Sequence, residues 1–300
     1  MEYIKLSDKV KVSRIIQGLM RLNAWNFTKY DLLNHLEKLL DLGITTLDNA
    51  DIYGDYTCEE RLGEALKLKP QIRNKFQIIT KCGIKLMSEK YPNRYVKHYD
   101  TSKEHIINSV NQSLKKMSTD YIDILLLHRP DPLLNPVEVS EAFLYLYKSG
   151  KVLNFGVSNY MPSSFRLLQK YVDVPLVTNQ IEVSPLNVDA FTNGVIELCQ
   201  EMNIPPMAWG PLAGGAIFNS NNDKVKNIMK ALEKVSINKG IKSLDTIIYA
   251  FILNHPAKII PIVGTASLSR IQNAINALNI KFTREEWFLI YSSAIGREVD

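Results

Sequence analysis

The chain has 300 residues, 46% hydrophobic and 22% charged, with a formal net charge of +5. That is room for a sizeable core, and with a mean hydropathy of −0.10 it excludes a disordered or fibrous chain. No apolar run approaches the roughly 18 residues of a membrane-spanning helix, so no membrane partner is expected. The opening Met1-Glu2-Tyr3-Ile4-Lys5 lacks a signal-type apolar stretch. Cys58, Cys82 and Cys199 lie far apart and make neither a disulfide frame nor a zinc-type pair. Together these predict a cytoplasmic protein. The densest basic stretch, Lys67, Lys69, Arg73, Lys75 and Lys81, reads as a solvated helix end and loop, and no nucleic-acid partner is expected.

Two short strands near Tyr3–Leu6 and Val10–Val12 open the chain. Eight runs rich in Val, Ile and Leu follow, at Arg14–Gly18, Ile44–Asp48, Phe76–Lys81, Ile122–His128, Leu153–Ser158, Leu176–Gln180, Ile204–Trp209 and Ile259–Gly264. They are nearly continuous in apolar residues, the pattern of parallel strands covered on both faces. Helical spacing fills the intervals, at Asp31–Leu42, from Ile106 to Met117, and at Val139–Tyr147, Phe165–Tyr171, Val195–Met202, Ile247–Leu253 and Ile271–Leu278. Thr28 is placed to cap the first helix, and Gly43 and Gly150 to close two of them.

This alternation predicts an α/β fold, a (β/α)8 TIM barrel forming one domain over residues 1–300, with the opening hairpin across its floor. A doubly wound sheet would want G-x-G-x-x-G after an early strand, and the chain has none. Two connections are long, Cys82–Ser102 and Pro211 to about Leu253, the second with an extra helix around Val225–Lys239.

In such a barrel the site lies at the strand C-termini. The second run ends in Asp48, with Tyr53 in the loop beyond; the third ends in Lys81 and the fourth in His128. Singly these would pass for a cap, an ion pair, a satisfied polar group and loop packing. On adjacent strands they make a set suited to proton transfer to a carbonyl oxygen. A lysine ammonium beside a phenol is expected to lower its pKa, an aspartate to hold the lysine charged, and a neutral imidazole to orient the substrate oxygen. The set lacks a reductant, so a cofactor must bring the hydride. No metal site is expected, because the spacing of Asp48, Asp51 and Asp55 matches no metal loop.

The stretch Gly43-Ile44-Thr45-Thr46-Leu47-Asp48-Asn49-Ala50-Asp51-Ile52-Tyr53-Gly54 resembles the signature of the aldo-keto reductases. Ile79-Thr80-Lys81-Cys82-Gly83, Leu126-Leu127-His128-Arg129-Pro130-Asp131, Phe155-Gly156-Val157-Ser158-Asn159-Tyr160 and Thr178-Asn179-Gln180-Ile181-Glu182 resemble further motifs of that family, in order. Asp51, Cys58 and Glu64, with Pro206-Met207-Ala208-Trp209, look most like a bacterial subgroup of about 300 residues. The resemblance implies NADPH-dependent reduction of a small carbonyl substrate, with Tyr53 as proton donor supported by Asp48, Lys81 and His128. It implies that Ser158, Asn159 and Gln180 hold the nicotinamide carboxamide, with Trp209 stacked on the ring, although core packing would also account for the tryptophan. Gly18 and Met20 are implied beside the cofactor, and Gly210, Pro211, Leu212 and Gly214 around its pyrophosphate. Gly264, Thr265, Ser267 and Arg270 fit a 2′-phosphate site and hence NADPH over NADH, although a plain Ser267 helix cap with an exposed arginine fits as well.

Asn49 stands where many relatives have Thr, Gly210 where Ser is commoner, and Gly264 where many carry a lysine. A nucleotide-sensing binding subunit and a Schiff-base aldolase using Lys81 are the rival readings. Trp25, Met87 and Tyr91 are candidate substrate-pocket walls, or else pack their loops on the scaffold. Nothing in the chain demands more than a monomer or weak homo-oligomer.

Overall fold

The structure is a computed structural model that describes residues 1–220 and 222–300, so Asn221 of the Pro211–Leu253 connection lies outside the described residues. Eight parallel strands close into a barrel in sequence order. They are β1 (Ile16–Gly18), β2 (Thr46–Asp48), β3 (Gln77–Cys82), β4 (Ile124–Leu127), β5 (Phe155–Ser158), β6 (Leu176–Glu182), β7 (Met207–Trp209) and β8 (Ile260–Val263). The expected (β/α)8 fold is therefore present. β4 and β5 are buried at every residue, as continuous apolar runs require. The run at 204–209 yields only three strand residues, because Pro205 and Pro206 have no N–H to give a ladder. No described helix is long and apolar enough to cross a membrane.

The chain divides into two compact units, Met1–Asn179 and Gln180–Asp300. In the first, the opening hairpin pairs Tyr3–Lys5 with Lys11–Ser13 in the register Ile4↔Val12. It is fastened to the N-terminal end of β2, where the Ser13 N–H donates to Thr46 Oγ1 at 2.9 Å and the Thr45 N–H donates to Ser13 Oγ at 3.2 Å. Helix α1 (Lys29–Asp41) starts on a capping box between Thr28 and Asp31, and Gly43 follows its end at φ +78°. Helices α2 (Cys58–Leu68), α3 (Lys103–Met117), α4 (Pro136–Lys148) and α5 (Pro162–Tyr171) follow.

Arg73 is buried and uses its whole guanidinium at the entry to β3 and β4. It donates to Thr119 Oγ1, the carbonyls of Phe76 and Tyr121, and Asp123 Oδ2, at 2.7–2.8 Å. Asp123 also accepts the Ile78 N–H at 2.8 Å, so one ion pair fixes the stagger of two strands whose far ends carry Lys81 and His128.

The second unit contains α6 (Val195–Glu201), α7 (Asp223–Lys239), α8 (Leu244–Leu253), α9 (Leu268–Asn276) and α10 (Arg284–Ile295). Its core gathers Ile228, Leu232 and Val235 of α7 with Ile247, Ile248, Phe251 and Ile252 of α8 and Ile290 of α10. Trp287 stacks on Phe251 at 5.0 Å and donates its indole N–H to the Phe251 carbonyl at 3.0 Å.

Two helices stand where periodicity predicts none. The buried face of α2 includes Glu59 and Gly63, which disguise its apolar stripe. In α10 large apolar residues occur at five successive positions, Trp287 to Tyr291, and the capping box between Thr283 and Glu286 is the clearer signal.

Gly63 is where α2 meets α3: a Cβ there would stand 2.0 Å from the Lys116 carbonyl oxygen. Gly63→Ala is expected to destabilise the fold by about 1–3 kcal/mol, read as a lower urea midpoint at unchanged m-value.

Candidate active site

The pairing of β2 and β3 runs on past the end of β2. The Asn49 N–H donates to the Ile79 carbonyl at 2.8 Å, and the Asp51 N–H to the Lys81 carbonyl at 3.1 Å. Asp48 thus ends its strand beside Lys81, and the chain turns back over that end at Tyr53. His128 directly follows β4, held by its N–H on the Cys82 carbonyl at 2.8 Å. Lys81 lies one residue inside β3, rather than at its last position.

Lys81 Nζ donates to both carboxylate oxygens of Asp48 at 2.8 Å, to the Asn49 carbonyl at 2.8 Å and to Tyr53 Oη at 3.0 Å. The residue is 1% exposed. Burial alone would discharge such an ammonium, but Asp48 and then Tyr53 more than offset it, and its pKa stands above the usual value. The Tyr53 ring stands edge-on to His128, with centroids 5.7 Å apart. Burial, then Lys81 and Arg129, hold the imidazole far below its usual pKa, and its buried Nδ1 has no hydrogen-bond partner among the described residues. His128 is therefore neutral at pH 7.

Tyr53 corrects one expectation. Its pKa lies above the ordinary value: burial raises it, the Lys81 ammonium lowers it by less, and Asp48 raises it again. The phenol is thus a held proton, and not a ready phenolate. Its oxygen accepts from Lys81, which leaves its own O–H to donate elsewhere.

Behind these residues lies a buried polar cluster that the sequence reading does not single out. Asp51 Oδ2 accepts from Ser109 Oγ at 3.0 Å, and Glu59 Oε1 from Thr80 Oγ1 at 2.7 Å. Among the described residues Asp51 Oδ1 and Glu59 Oε2 have no hydrogen-bond partner. Burial first, and then Glu59, push the Asp51 pKa up to about 8. Ser109 and Ser113, one helical turn apart on the buried face of α3, are the signal that could have found it.

Among the remaining expected residues, Gly18 ends β1 and is buried, whereas Met20 beyond it is exposed. Ser158 ends β5, and Asn159 follows at φ +60° with its Nδ2 donating to Ser158 Oγ at 2.8 Å. In the second unit Gln180 is buried within β6 and Trp209 ends β7. Gly210, Pro211, Leu212 and Gly214 form one tight turn, with the Ala213 N–H on the Gly210 carbonyl at 2.7 Å. Gly264 and Thr265 follow β8, and Ser267 caps α9 by accepting the Arg270 N–H. Of the candidate pocket walls, Trp25 packs edge-on against Phe27 and His35, Tyr91 packs against Tyr56, and Met87 is 62% exposed.

The model of the Aldo/keto reductase family matches residues 14–294, and the chain belongs to that family. The uncharacterized oxidoreductase YcsN of Bacillus subtilis is 49% identical over 299 residues, covering all of both chains. A 6-dehydroglucose reductase of Agrobacterium fabrum is 45% identical over 300 residues, again covering all of both. The solved structure of a glycerol dehydrogenase from Gluconobacter oxydans shares the fold, with a TM-score of 0.84 at 22% identity over 99% of this chain and 97% of that one.

The raised pKa of Asp51 has a consequence for stability. The folded state binds its proton more tightly than the unfolded chain, whose value is near 3.8, so this contribution is complete below about pH 4 and is lost as pH rises to about 8. Asp51→Asn is expected to flatten the fall in urea-measured stability between pH 5.5 and 8 relative to wild type. An unchanged slope would show that the carboxyl is ionised throughout.

Proposed function

We propose that this enzyme reduces an aldehyde or ketone to an alcohol with NADPH, Tyr53 giving the proton to the carbonyl oxygen. The observation that carries the reading is the contact of Lys81 Nζ with Tyr53 Oη at 3.0 Å, the ammonium being held by Asp48. When bound, NADPH supplies the hydride for the carbonyl carbon. As the Tyr53 proton leaves, the phenolate forms against an ammonium already in place, so no solvent has to reorganise. Neutral His128 offers a ring N–H to the substrate oxygen and fixes its direction. Lys81 has its three hydrogens committed and no lone pair to attack a carbonyl, which weighs against a Schiff-base aldolase.

The donor set fits a phosphorylated dinucleotide. Ser158, Asn159 and Gln180 both donate and accept, as a carboxamide needs, and Trp209 offers an aromatic face to the nicotinamide. Gly210 and Gly214, at φ +63° and +66°, bring bare backbone to the turn proposed for the pyrophosphate. Gly264 has open space where a side chain would stand, and Ser267 begins a nine-residue helix whose first turn carries the exposed Arg270. An amide terminus with a guanidinium suits a 2′-phosphate and supports NADPH over NADH. The 45% identity to a 6-dehydroglucose reductase makes 6-dehydroglucose the first carbonyl to try. A cytoplasmic location and a monomer or weak homo-oligomer complete the proposal.

Tyr53→Phe is expected to lower kcat for carbonyl reduction by about 100-fold or more while NADPH still quenches tryptophan fluorescence at the wild-type Kd. Retained turnover would remove the proton-donor role. Arg270→Ala is expected to raise the Kd of NADPH by about tenfold or more and that of NADH far less, consistent with the loss of one charge-assisted contact. Equal losses for both nucleotides would contradict the 2′-phosphate reading.

A further inference from the structure

The backbone directly after Tyr53 holds a conformation that L side chains avoid. Gly54, Asp55 and Tyr56 have φ of +58°, +52° and +65°. Three left-handed residues in a row are unusual, and at a bulky tyrosine this φ is a true outlier. Such strain persists only where the surroundings over-determine it, and it clusters at functional sites. A Cβ at Gly54 would stand 2.5 Å from Asn23 Nδ2 and 2.7 Å from Cys58 Sγ, so a larger residue would have to displace these side chains.

The carbonyls of this turn are held by side chains. Asn23 Nδ2 and Thr57 Oγ1 donate to the Gly54 carbonyl at 3.2 and 2.6 Å. Lys90 Nζ donates to the Asp55 carbonyl at 2.6 Å, and Lys116 Nζ to that of Tyr56 at 3.2 Å. The Tyr56 side chain is gripped further. Its hydroxyl oxygen accepts from the Leu86 N–H at 2.9 Å and from Arg94 Nη1 at 2.8 Å. Its ring meets Tyr91 edge-on at 4.9 Å, and the Arg94 guanidinium lies 3.7 Å over the Tyr91 ring.

Leu86, Lys90, Tyr91 and Arg94 all belong to one excursion, residues 83–100. Its base is closed by pairing of Ile84–Lys85 with His98–Tyr99 and by the ion pair of Lys85 with Asp100 at 2.5 Å. The excursion thus stands on a rigid footing and reaches across to grip the residue three positions beyond Tyr53.

We propose that Tyr56 and Arg94 are positioning residues for the proton donor: the 83–100 excursion, acting through them, clamps the left-handed turn and so sets the Tyr53 phenol against Lys81. The inference rests on the proton-donor role proposed for Tyr53. It gives the excursion a part in the chemistry besides any contact with substrate.

The test uses full-length protein labelled with 3-fluorotyrosine, the Tyr53 fluorine resonance being identified by its loss in Tyr53→Phe. In Tyr56→Phe and in Arg94→Ala that resonance is expected to move or split, and kcat for aldehyde reduction with NADPH to fall at least fivefold. The Kd of NADPH should stay within twofold. Arg94→Lys keeps a cationic donor for the Tyr56 hydroxyl and should return both the resonance and most of kcat. A Tyr53 resonance unmoved in both variants, or kcat within twofold of wild type in both, would overturn the proposal. The resonance is read without turnover. A wild-type protein that reduces no carbonyl would therefore sink the reductase reading and still leave the clamp to be decided.

Discussion

The ammonium of Lys81 is the constraint around which the first half of the molecule is arranged. A lone charge at 1% exposure would cost several kcal/mol, and would be removed by loss of its proton if it were left unpaired. It survives because Asp48, the Asn49 carbonyl and Tyr53 take its three hydrogens among four acceptors. The first two are placed by backbone and not by side-chain reach alone: Asp48 by the register Asp48↔Ile79, and Asn49 by its N–H on the Ile79 carbonyl. The Arg73–Asp123 pair at the opposite ends of β3 and β4 fixes the neighbouring register, that of β3 on β4, from below. A slip of one residue would turn Lys81 away from Asp48 and leave a bare charge in the interior, so the ion pair also selects the pairing.

A parallel barrel gives its strand ends for fine placement and its loops for everything that varies. Here the two are joined at one point. The turn at Gly54–Tyr56 leaves the favoured backbone regions, at a cost of roughly 1–2 kcal/mol for each non-glycine residue. That strain is offset by ordinary contacts, an amide and a guanidinium on a phenol oxygen and two lysines on carbonyls. Loop and scaffold are therefore coupled, because removing the excursion would leave the turn held only by Asn23, Thr57 and Lys116.

Much of this was legible in the chain. Apolar runs without alternation mark covered parallel strands, and the residue types at their C-terminal ends mark the chemistry: Asp48, Lys81 and His128 stand on neighbouring strands as right-handed crossovers require. The helix ends at Thr28, Gly43 and Gly150 follow from local backbone rules and occur as expected. What was hidden depends on burial by partners distant in sequence. Glu59 gives no sign of its burial until Thr80 and Asp51 are seen beside it, and nothing in the chain marks the left-handed backbone of Tyr56. The sign of the Tyr53 shift was hidden for the same reason. The neighbouring lysine is visible in the motif, but the desolvation that outweighs it appears only once the site is folded.

That sign bears on the protonation state in which the proposed donor rests. Among the four residues the ion pair of Lys81 with Asp48 is self-cancelling, and His128 and Tyr53 are neutral, so a neutral carbonyl meets a site with no net charge. Giving up the Tyr53 proton creates one anion, and the ammonium at 3.0 Å is already oriented toward it. The reverse reaction would have to begin from that phenolate, which burial and Asp48 both disfavour. With the phenol pKa raised, the proton-loaded form prevails at neutral pH, and the oxidising form gains ground only as the medium becomes alkaline. On the proposed roles, the same burial that makes Lys81 depend on Asp48 and Tyr53 keeps the proton on Tyr53 until a carbonyl oxygen takes it up.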